Sequence, residues 1–156
     1  MIYITQATQE HVRAMSGRIR QADIDEFEAG YSLTPEKAMK VGIMVSTHCW
    51  TGICDGRPVA MAGLFPVSFI GDTARPWMVG TRDLERPEVR RQFLLLSKSV
   101  LRYMASLYPN LENHVDARNK LAIRWLKWLG FTMHDPSPHG PLGMPFCHFE
   151  LRSAHV

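Results

Sequence analysis

Long apolar runs, paired cysteines and a strong net charge are all missing from this sequence. No apolar run approaches the roughly 20 residues that a membrane-spanning helix needs. The N-terminus has neither the basic nor the apolar region of a signal peptide. The three cysteines form no regular framework, which argues against a disulfide scaffold and is typical of a reducing compartment. These absences predict a cytoplasmic protein that has no membrane partner.

The formal net charge is only +3, and it does not form a nucleic-acid footprint. Four arginines cluster in one stretch, but three acidic residues are interleaved with them, whereas a DNA-binding face is normally basic without such dilution. The sequence therefore predicts no nucleic-acid partner. Two interpretations of the cluster stay open, a solvated helix start and an anion-binding site. Its members are Arg82, Arg86, Arg90 and Arg91, with Asp83, Glu85 and Glu88 between them.

A chain of 156 residues with 46% hydrophobic residues favours one domain with a substantial core. Strand and helix signals follow one another in the order β-α-α-β-β-β-α-β-α-β-β. Asp55-Gly56 is a strong hairpin signal between two strand-like segments. Pro87 begins the longest helix, which ends before Pro109. A Pro/Gly-rich loop is predicted over residues 135–145. No repeat, linker or domain boundary is visible.

Residues 119–131 carry the most informative pattern, N-x-x-A-I-x-x-L-x-x-L-G-F. Asn119 is a good helix cap and Gly130 a good helix stop, so the pattern predicts a short helix followed by a strand. It resembles the fourth helix of the GNAT (Gcn5-related) acyl-CoA N-acetyltransferases, and the order of elements is similar to theirs. More narrowly, the strand Trp-Met-Val-Gly-Thr, followed by a basic helix and then Asn-His-Val, resembles GNAT-like proteins of short-tailed bacteriophages.

The resemblance implies a fold and an activity. The fold is a single GNAT-like domain over residues 1–156, of the α/β (α+β) class, with a mixed, mostly antiparallel splayed sheet and helices on both faces. The activity is an acetyl-CoA-dependent N-acetyltransferase (a transferase, specifically an acyltransferase) of phage type, in which an amine attacks the thioester directly. The implied coenzyme-binding residues are Val79, Gly80 and Thr81 for the pantetheine, Arg86, Arg90 and Arg91 for the phosphates, and Asn119 and Ala122 beside the arm.

Two features depart from the family pattern. The glycine-rich pyrophosphate loop is degenerate, because the stretch from Gly80 to Pro87 has no second glycine and Pro87 removes a backbone donor. In addition, the place in the last helix where the family often has a proton-donating tyrosine is occupied by Leu126. Both departures put coenzyme binding and catalysis in question.

The general base is expected on the strand before the last helix. Glu112, His114 and Asp116 alternate there and therefore share one face. We predict His114 as the base, with Glu112 beside it, because an unperturbed imidazole titrates near neutrality. The alternative is a hydrogen-bonded structural histidine.

Acidic and metal-ligating residues leave further alternatives. Residues Asp23, Asp25, Glu26 and Glu28 precede Gly30, where the family places the connection that recognises the amine. This segment either attracts an amine electrostatically or is a solvated loop. His134, His139, Cys147 and His148 have irregular spacing, so the sequence predicts no metal site.

Two functional hypotheses from different classes follow. The first is the N-acetyltransferase, with acetyl-CoA as cosubstrate and a protein or small amine as acceptor. The second is a catalytically degenerate GNAT-fold phage protein that acts by binding, either as a virion component or as a factor that targets a host protein. Both place the protein in the host cytoplasm or the virion, and both leave an oligomer possible. Trp125 and Trp128 lie three residues apart on one helix and would serve either burial or partner contact.

Overall fold

A computed structural model describes residues 1–153 of the chain. In chain order, the strands are β1 Ile2–Gln6, β2 His48–Cys54, β3 Arg57–Pro66, β4 Thr73–Gly80, β5 Asn110–Asp116, β6 Thr132–Met133, β7 Ser137–His139 and β8 Met144–Arg152. The α-helices are α1 Gln9–Met15, α2 Gln21–Tyr31, α3 Pro35–Val45, α4 Pro87–Leu107 and α5 Lys120–Leu129, and a short 3-10 helix, Arg82–Glu85, precedes α4. No helix among these residues is both long and apolar enough to cross a membrane.

The strands form one sheet in the order β1-β2-β3-β4-β5-β8-β6, and β7 also pairs with β8. All pairings are antiparallel except β4 with β5, which are parallel and paired only through Thr73 with Asn110 and Ala74 with Leu111. Beyond these two pairs β4 and β5 diverge. The predicted fold class, a splayed and mostly antiparallel sheet, is confirmed.

Helices cover both faces of the sheet, as predicted. On one face α1 and α3 pack around Met61 and Val79, which are fully buried. On the other face α4 and α5 enclose a core that includes Leu111 and Val115. Side chains alternate across a strand. The odd-numbered residues of β5 therefore face α4 and α5, and its even-numbered residues face α2.

The local signals of the sequence produce the predicted turns and caps. Asp55 and Gly56 have φ of 50° and 74°, so both occupy the left-handed region that a tight hairpin needs. The Asn119 side chain accepts a hydrogen bond from the amide of Ala122 at 3.2 Å and thereby begins α5. Gly130, with φ of 107°, ends it.

Helix α2 was not predicted, because the acidic segment was interpreted as a connection. Its first flanking residue, Arg20, makes no side-chain cap bond, and it ends at Ser32, a non-glycine residue with φ of 52°. Gly30 is tolerated within the helix because of a tertiary contact. A Cβ there would lie 3.0 Å from the Phe146 ring, so glycine lets this fully buried aromatic pack against the helix.

The Pro/Gly-rich loop also contains more structure than was predicted. Its residues Ser137–His139 form β7, which pairs with β8. Gly140 follows with φ of 74°, and a Cβ at this position would lie 2.5 Å from the carbonyl oxygen of Gly30. This close approach of two backbones attaches the loop to α2, and sequence patterns do not reveal it.

We predict that Gly63→Ala destabilises the fold by about 1–3 kcal/mol, the usual cost of overpacking a core. The new Cβ would lie 2.6 Å from Nε1 of Trp77, and the indole cannot retreat because Gly42 of α3 lies against its ring. Its N–H also donates to Ser46 Oγ at 2.8 Å. Urea unfolding measures the loss. Gly52→Ala is the matched control, since its Cβ would meet nothing closer than 3.4 Å; equal effects of the two changes would contradict this packing argument.

Candidate active site

The gap between β4 and β5 is a concave feature of the described residues. The gap is part of a groove with a volume of about 690 Å³, which is within the range of volumes of small-molecule binding sites. Asn113 bridges the narrow end of the gap. Its Nδ2 donates to the carbonyl of Pro76 at 2.9 Å, and its Oδ1 accepts from the amide of His114 at 2.8 Å. The gap therefore begins at this bridge and widens toward the carboxyl ends of both strands.

Strand register decides which backbone groups of β4 face the gap. The amide of Thr81 donates to the carbonyl of Val59 in β3 at 2.9 Å, and such groups alternate along an antiparallel strand. The backbone groups of Val79 therefore also face β3, whereas those of Met78 and Gly80 face the gap. Met78 lies where pairing with β5 has already ended, so its amide and carbonyl form a free strand edge.

Helix α2 crosses the gap and contacts both strands through two acids. Asp23 accepts from the amide of Gly80 at 2.8 Å, and the carbonyl of Gly80 accepts from the amide of Arg20 at 3.0 Å. Glu26 accepts from the amide of Asp116 in β5 at 2.8 Å. The two acids are three residues apart and therefore share one helix face. The α2 helix thus closes one side of the gap.

Glu26 is the functional candidate that the sequence did not single out. Its half-buried carboxyl lines the groove, and burial raises its pKa from 4.5 to about 7. The Asp116 amide opposes this shift, whereas the nearby carboxylates of Asp23 and Asp116 add to it. A carboxyl group that titrates near neutrality in a groove has the property that a general base needs. In the sequence it is one of four acids in the segment before Gly30, and nothing there distinguishes it from the other three.

His114, the base predicted from the sequence, also lines the groove. Its ring stacks on that of His139 with centroids 4.2 Å apart, and the ring of His148 lies 5.1 Å away. Burial lowers the pKa of His114 to about 4, with further lowering by the two histidines and Arg75. A neutral imidazole of this kind is a weak proton acceptor at pH 7. Glu112 does not line the groove; its Oε2 lies 3.4 Å from Nε2 of His148.

The residues predicted to bind phosphate lie at the start of α4. Arg86 forms an ion pair with Glu88 at 2.6 Å, and hydrogen bonding to this carboxylate raises the pKa of Arg86. Arg90 lines the groove, and Arg91 is exposed beside it. Within residues 1–153 neither Arg90 nor Arg91 has an acidic partner. The Arg90 guanidinium is therefore available to an anion in the groove, and Arg91 is an exposed cation next to it in sequence.

The remaining predicted coenzyme contacts are placed as follows. Asn119 and Ala122 both line the groove, and the Asn119 amide group retains its Nδ2 donor because capping uses only Oδ1. Val79 and Thr81 are fully buried, and the Thr81 hydroxyl donates to the carbonyl of Val59 at 3.0 Å. Of the predicted stretch of β4, only the backbone of Gly80 faces the gap, and it already bonds to Asp23 and Arg20.

Leu126 is a core residue, only 7% exposed, so α5 supplies no proton donor at that position. The tyrosine that lines the groove is Tyr31 of α2, and burial followed by the charge of Glu26 raises its pKa. Its hydroxyl therefore stays protonated at neutral pH and can donate.

Trp125 is partly buried and donates to Ser97 Oγ at 3.3 Å, whereas Trp128 is 48% exposed beneath the Lys98 ammonium group.

Comparison with known proteins supports the fold. No protein-family model matches the sequence, and no curated protein matches it. Among solved structures, ribosomal-protein-alanine N-acetyltransferase from Brucella melitensis is 12% identical with a TM-score of 0.68, covering 96% of this chain and 99% of its own. An acetyltransferase of the GNAT family from Streptococcus pneumoniae is 10% identical, with a TM-score of 0.66 and coverages of 97% and 99%.

A third structure contains a coenzyme. Spermidine N-acetyltransferase from Vibrio cholerae, in complex with CoA and spermine, is 9% identical with a TM-score of 0.69, covering 98% of this chain and 96% of its own. Identities this low establish shared architecture and no shared activity. The chain therefore has the fold of the GNAT N-acetyltransferases.

Proposed function

We propose that the protein is an acetyl-CoA-dependent N-acetyltransferase whose acceptor is an amine on a protein or a small molecule. The observation that carries the proposal is the open gap between β4 and β5. The gap offers a free strand edge at Met78 and the carboxyl group of Glu26, whose pKa is about 7. The fold neighbours add support, since one of them is a spermidine N-acetyltransferase in complex with CoA and spermine.

Coenzyme binding would use groups along the gap. The amides of the pantetheine arm would pair with the backbone of Met78, as an added strand pairs with a sheet edge. Asn119 Nδ2 would donate to the arm, and the small side chain of Ala122 leaves room for it. Val79 and Thr81, which are fully buried, and Gly80, whose backbone already bonds to α2, would then not contact the arm. Arg90 and Arg91, together with Arg86, would bind the phosphates.

The reaction would proceed by direct transfer. Glu26 takes a proton from the ammonium group of the acceptor, either directly or through a water molecule, and the freed nitrogen attacks the thioester carbonyl carbon. A C–N bond forms, the C–S bond breaks, and Tyr31 donates a proton to the departing thiolate. The second proton lost by the nitrogen restores the Tyr31 hydroxyl, and Glu26 releases its proton to solvent. His114 stays a predicted alternative base, with Glu112 behind His148. Asp25 and Glu28 on the outer side of α2 would attract a cationic acceptor.

A second candidate function is supported by a different observation. The backbone of Gly80 is already bonded to α2, the loop before α4 has no second glycine, and Leu126 replaces a donor. These features favour a GNAT-fold protein that acts by binding. Given the sequence resemblance to phage proteins, it would then be a virion component or a factor that engages a host protein. In either role we propose that it acts in the cytoplasm of the host or in the virion.

A thiol-release assay separates the two functions. The protein is incubated with acetyl-CoA and either spermidine or a peptide with a free N-terminus, and free CoA thiol is measured. The proposal predicts thiol release that requires an amine and scales with protein concentration. An N-acetylated form of the same peptide is the control, because it has no amine to accept the acyl group. Acetyl-CoA binding without release for any amine would reject the enzyme and favour the binding function.

A further inference from the structure

A row of four imidazoles crosses the face of the sheet that α2 covers only in part. His134 follows β6, His148 lies on β8, His114 lies on β5 and His139 ends β7. Successive ring centroids are 5.2, 5.1 and 4.2 Å apart. His114 and His148 are direct neighbours across the β5–β8 pairing. Strand pairing thus assembles histidines that are irregularly spaced in the sequence.

At one end of this row, three potential metal ligands converge. One ligand atom each from His134, His148 and Glu150 lies within 4.8 Å of the other two. Nε2 of His134 is 3.3 Å from Oε1 of Glu150. None of the three lines the groove between β4 and β5, so this cluster is separate from the proposed active site.

The geometry fits a small transition-metal ion. Tetrahedral zinc, with bonds of about 2.0–2.2 Å, has ligand atoms about 3.3–3.5 Å apart. The His134–Glu150 pair already has this separation. The other separations are within 4.8 Å and need to shorten by at most about 1.5 Å, which partly exposed side chains can allow. Imidazole with one carboxylate suits zinc and its neighbours, whereas magnesium and calcium prefer oxygen ligands alone.

The surroundings of the cluster support ligand binding. The amide of His134 donates to the carbonyl of His148 at 2.9 Å, which fixes the backbones of two ligands relative to each other. Glu112 lies opposite Glu150 on β5, and its Oε2 is 3.4 Å from Nε2 of His148. Such a carboxylate either orients a histidine ligand or completes the coordination. Arg152 is 3.8 Å from Oε2 of Glu150, so the guanidinium does not occupy Oε1, which lies next to His134.

We propose that His134, His148 and Glu150 bind a divalent zinc ion. The ion would link the short edge strand β6 to β8 and leave a fourth position open to water or to Glu112. This site revises the expectation of no metal, which rested on spacing along the chain. Spacing is informative for ligands in one loop, but here the ligands come from β8 and from the residue that follows β6.

Isothermal titration with ZnCl₂ tests the proposal on the full chain. We expect one zinc ion per chain, no heat from MgCl₂, and at least tenfold weaker zinc binding in His134→Ala and in His148→Ala. Glu150→Gln, which keeps the size of the side chain, should weaken binding similarly. His48→Ala is the matched control, because His48 is a partly exposed histidine on β2 outside the row, and its affinity should stay within twofold of wild type.

Cobalt(II) provides a second readout that folding defects do not imitate. Bound Co²⁺ should give visible absorption bands of a four-coordinate site, and these bands should be lost in His134→Ala while circular dichroism remains that of the wild type. Absence of saturable zinc binding to the wild type would overturn the proposal. Binding that survives all three ligand changes would overturn it as well, since the ion would then be held elsewhere.

Discussion

Glu26→Gln is expected to lower the rate of acetyl transfer by about 10²- to 10⁴-fold, the usual contribution of a general base. Glutamine keeps the size of the side chain and the oxygen that accepts from the Asp116 amide at 2.8 Å, so the contact of α2 with β5 survives. It cannot take a proton from the acceptor. The measurement is kcat and kcat/KM for thiol release. Glu10→Gln is the matched control, because Glu10 is exposed on α1 and does not line the groove.

The pH profile distinguishes a base from a structural residue. Because the pKa of Glu26 is about 7, wild-type activity should rise through neutrality as the carboxyl loses its proton. The residual rate of the glutamine variant should lack this rise. A full rate in Glu26→Gln, or an unchanged profile at a reduced rate, would remove Glu26 from the mechanism and return attention to His114.

The same substitution should stabilise the protein at alkaline pH. The folded pKa of about 7 exceeds the ordinary value of 4.5, so between these pH values the folded state holds a proton that the unfolded state has lost. The free energy of unfolding therefore falls as pH rises through this window, and the full cost persists above pH 7. Glutamine carries no such cost.

Urea unfolding measures this gain in stability. At pH 8 the Glu26→Gln variant should exceed the wild type by no more than about 3–4 kcal/mol, the free energy that corresponds to the rise in pKa from 4.5 to about 7. The difference should shrink as pH falls toward 4.5. A variant that is less stable than the wild type at pH 8 would contradict the burial argument. Stabilisation combined with lost activity is the behaviour expected of a residue kept for function.

Asp23→Ala should have the opposite effect and destabilise the fold by about 3–5 kcal/mol, the cost of removing one partner of a buried ion pair. Asp23 is only 4% exposed and accepts from Nε and Nη2 of Arg20 at 3.0 and 3.1 Å. It also accepts from the amide of Gly80. Alanine would leave a guanidinium and a backbone amide without these bonds. Burial raises the pKa of Asp23, whereas Arg20 and the Gly80 amide lower it. These two partners therefore favour the ionised form of the carboxyl group.

Two further variants make this test specific to Asp23. Asp23→Asn keeps an oxygen for the Gly80 amide and should lose less stability than Asp23→Ala. Asp25→Ala is the matched control on the same helix; Asp25 is partly exposed and accepts from Gln21 Nε2, so its loss should cost less than about 1 kcal/mol. Equal stabilities of Asp23→Ala and Asp25→Ala would contradict the role of Asp23 in attaching α2 to β4.

Local signals explain why much of the fold could be predicted. Helix α5 begins at Asn119 and ends at Gly130 because each residue stabilises its own terminus, and the Asp55-Gly56 hairpin depends on two residues alone. The divergence of β4 and β5 followed from the family resemblance. The helix ends and the hairpin need no knowledge of distant contacts. The structure confirms all three features.

The groups of the candidate site depend on distant contacts and could not be predicted in the same way. The four acids of α2 form one acidic segment in the sequence. In the structure, Asp23 accepts a hydrogen bond from the amide of Gly80, 57 residues away, and Glu26 accepts one from the amide of Asp116 in β5, 90 residues away. The backbone edge at Met78 faces the gap only because of the register with β3. The histidine row likewise requires the pairing of β5, β6, β7 and β8.

Titration of the protein with acetyl-CoA by isothermal calorimetry tests the central claim, that the groove between β4 and β5 binds an acyl coenzyme. We predict saturable binding of one acetyl-CoA per chain. The double variant Arg90→Ala/Arg91→Ala should bind at least tenfold more weakly, since it removes two charged hydrogen-bond donors. The control Arg102→Ala/Arg124→Ala removes the same charge from exposed positions outside the groove and should bind like the wild type. No saturable heat at millimolar acetyl-CoA would contradict the account.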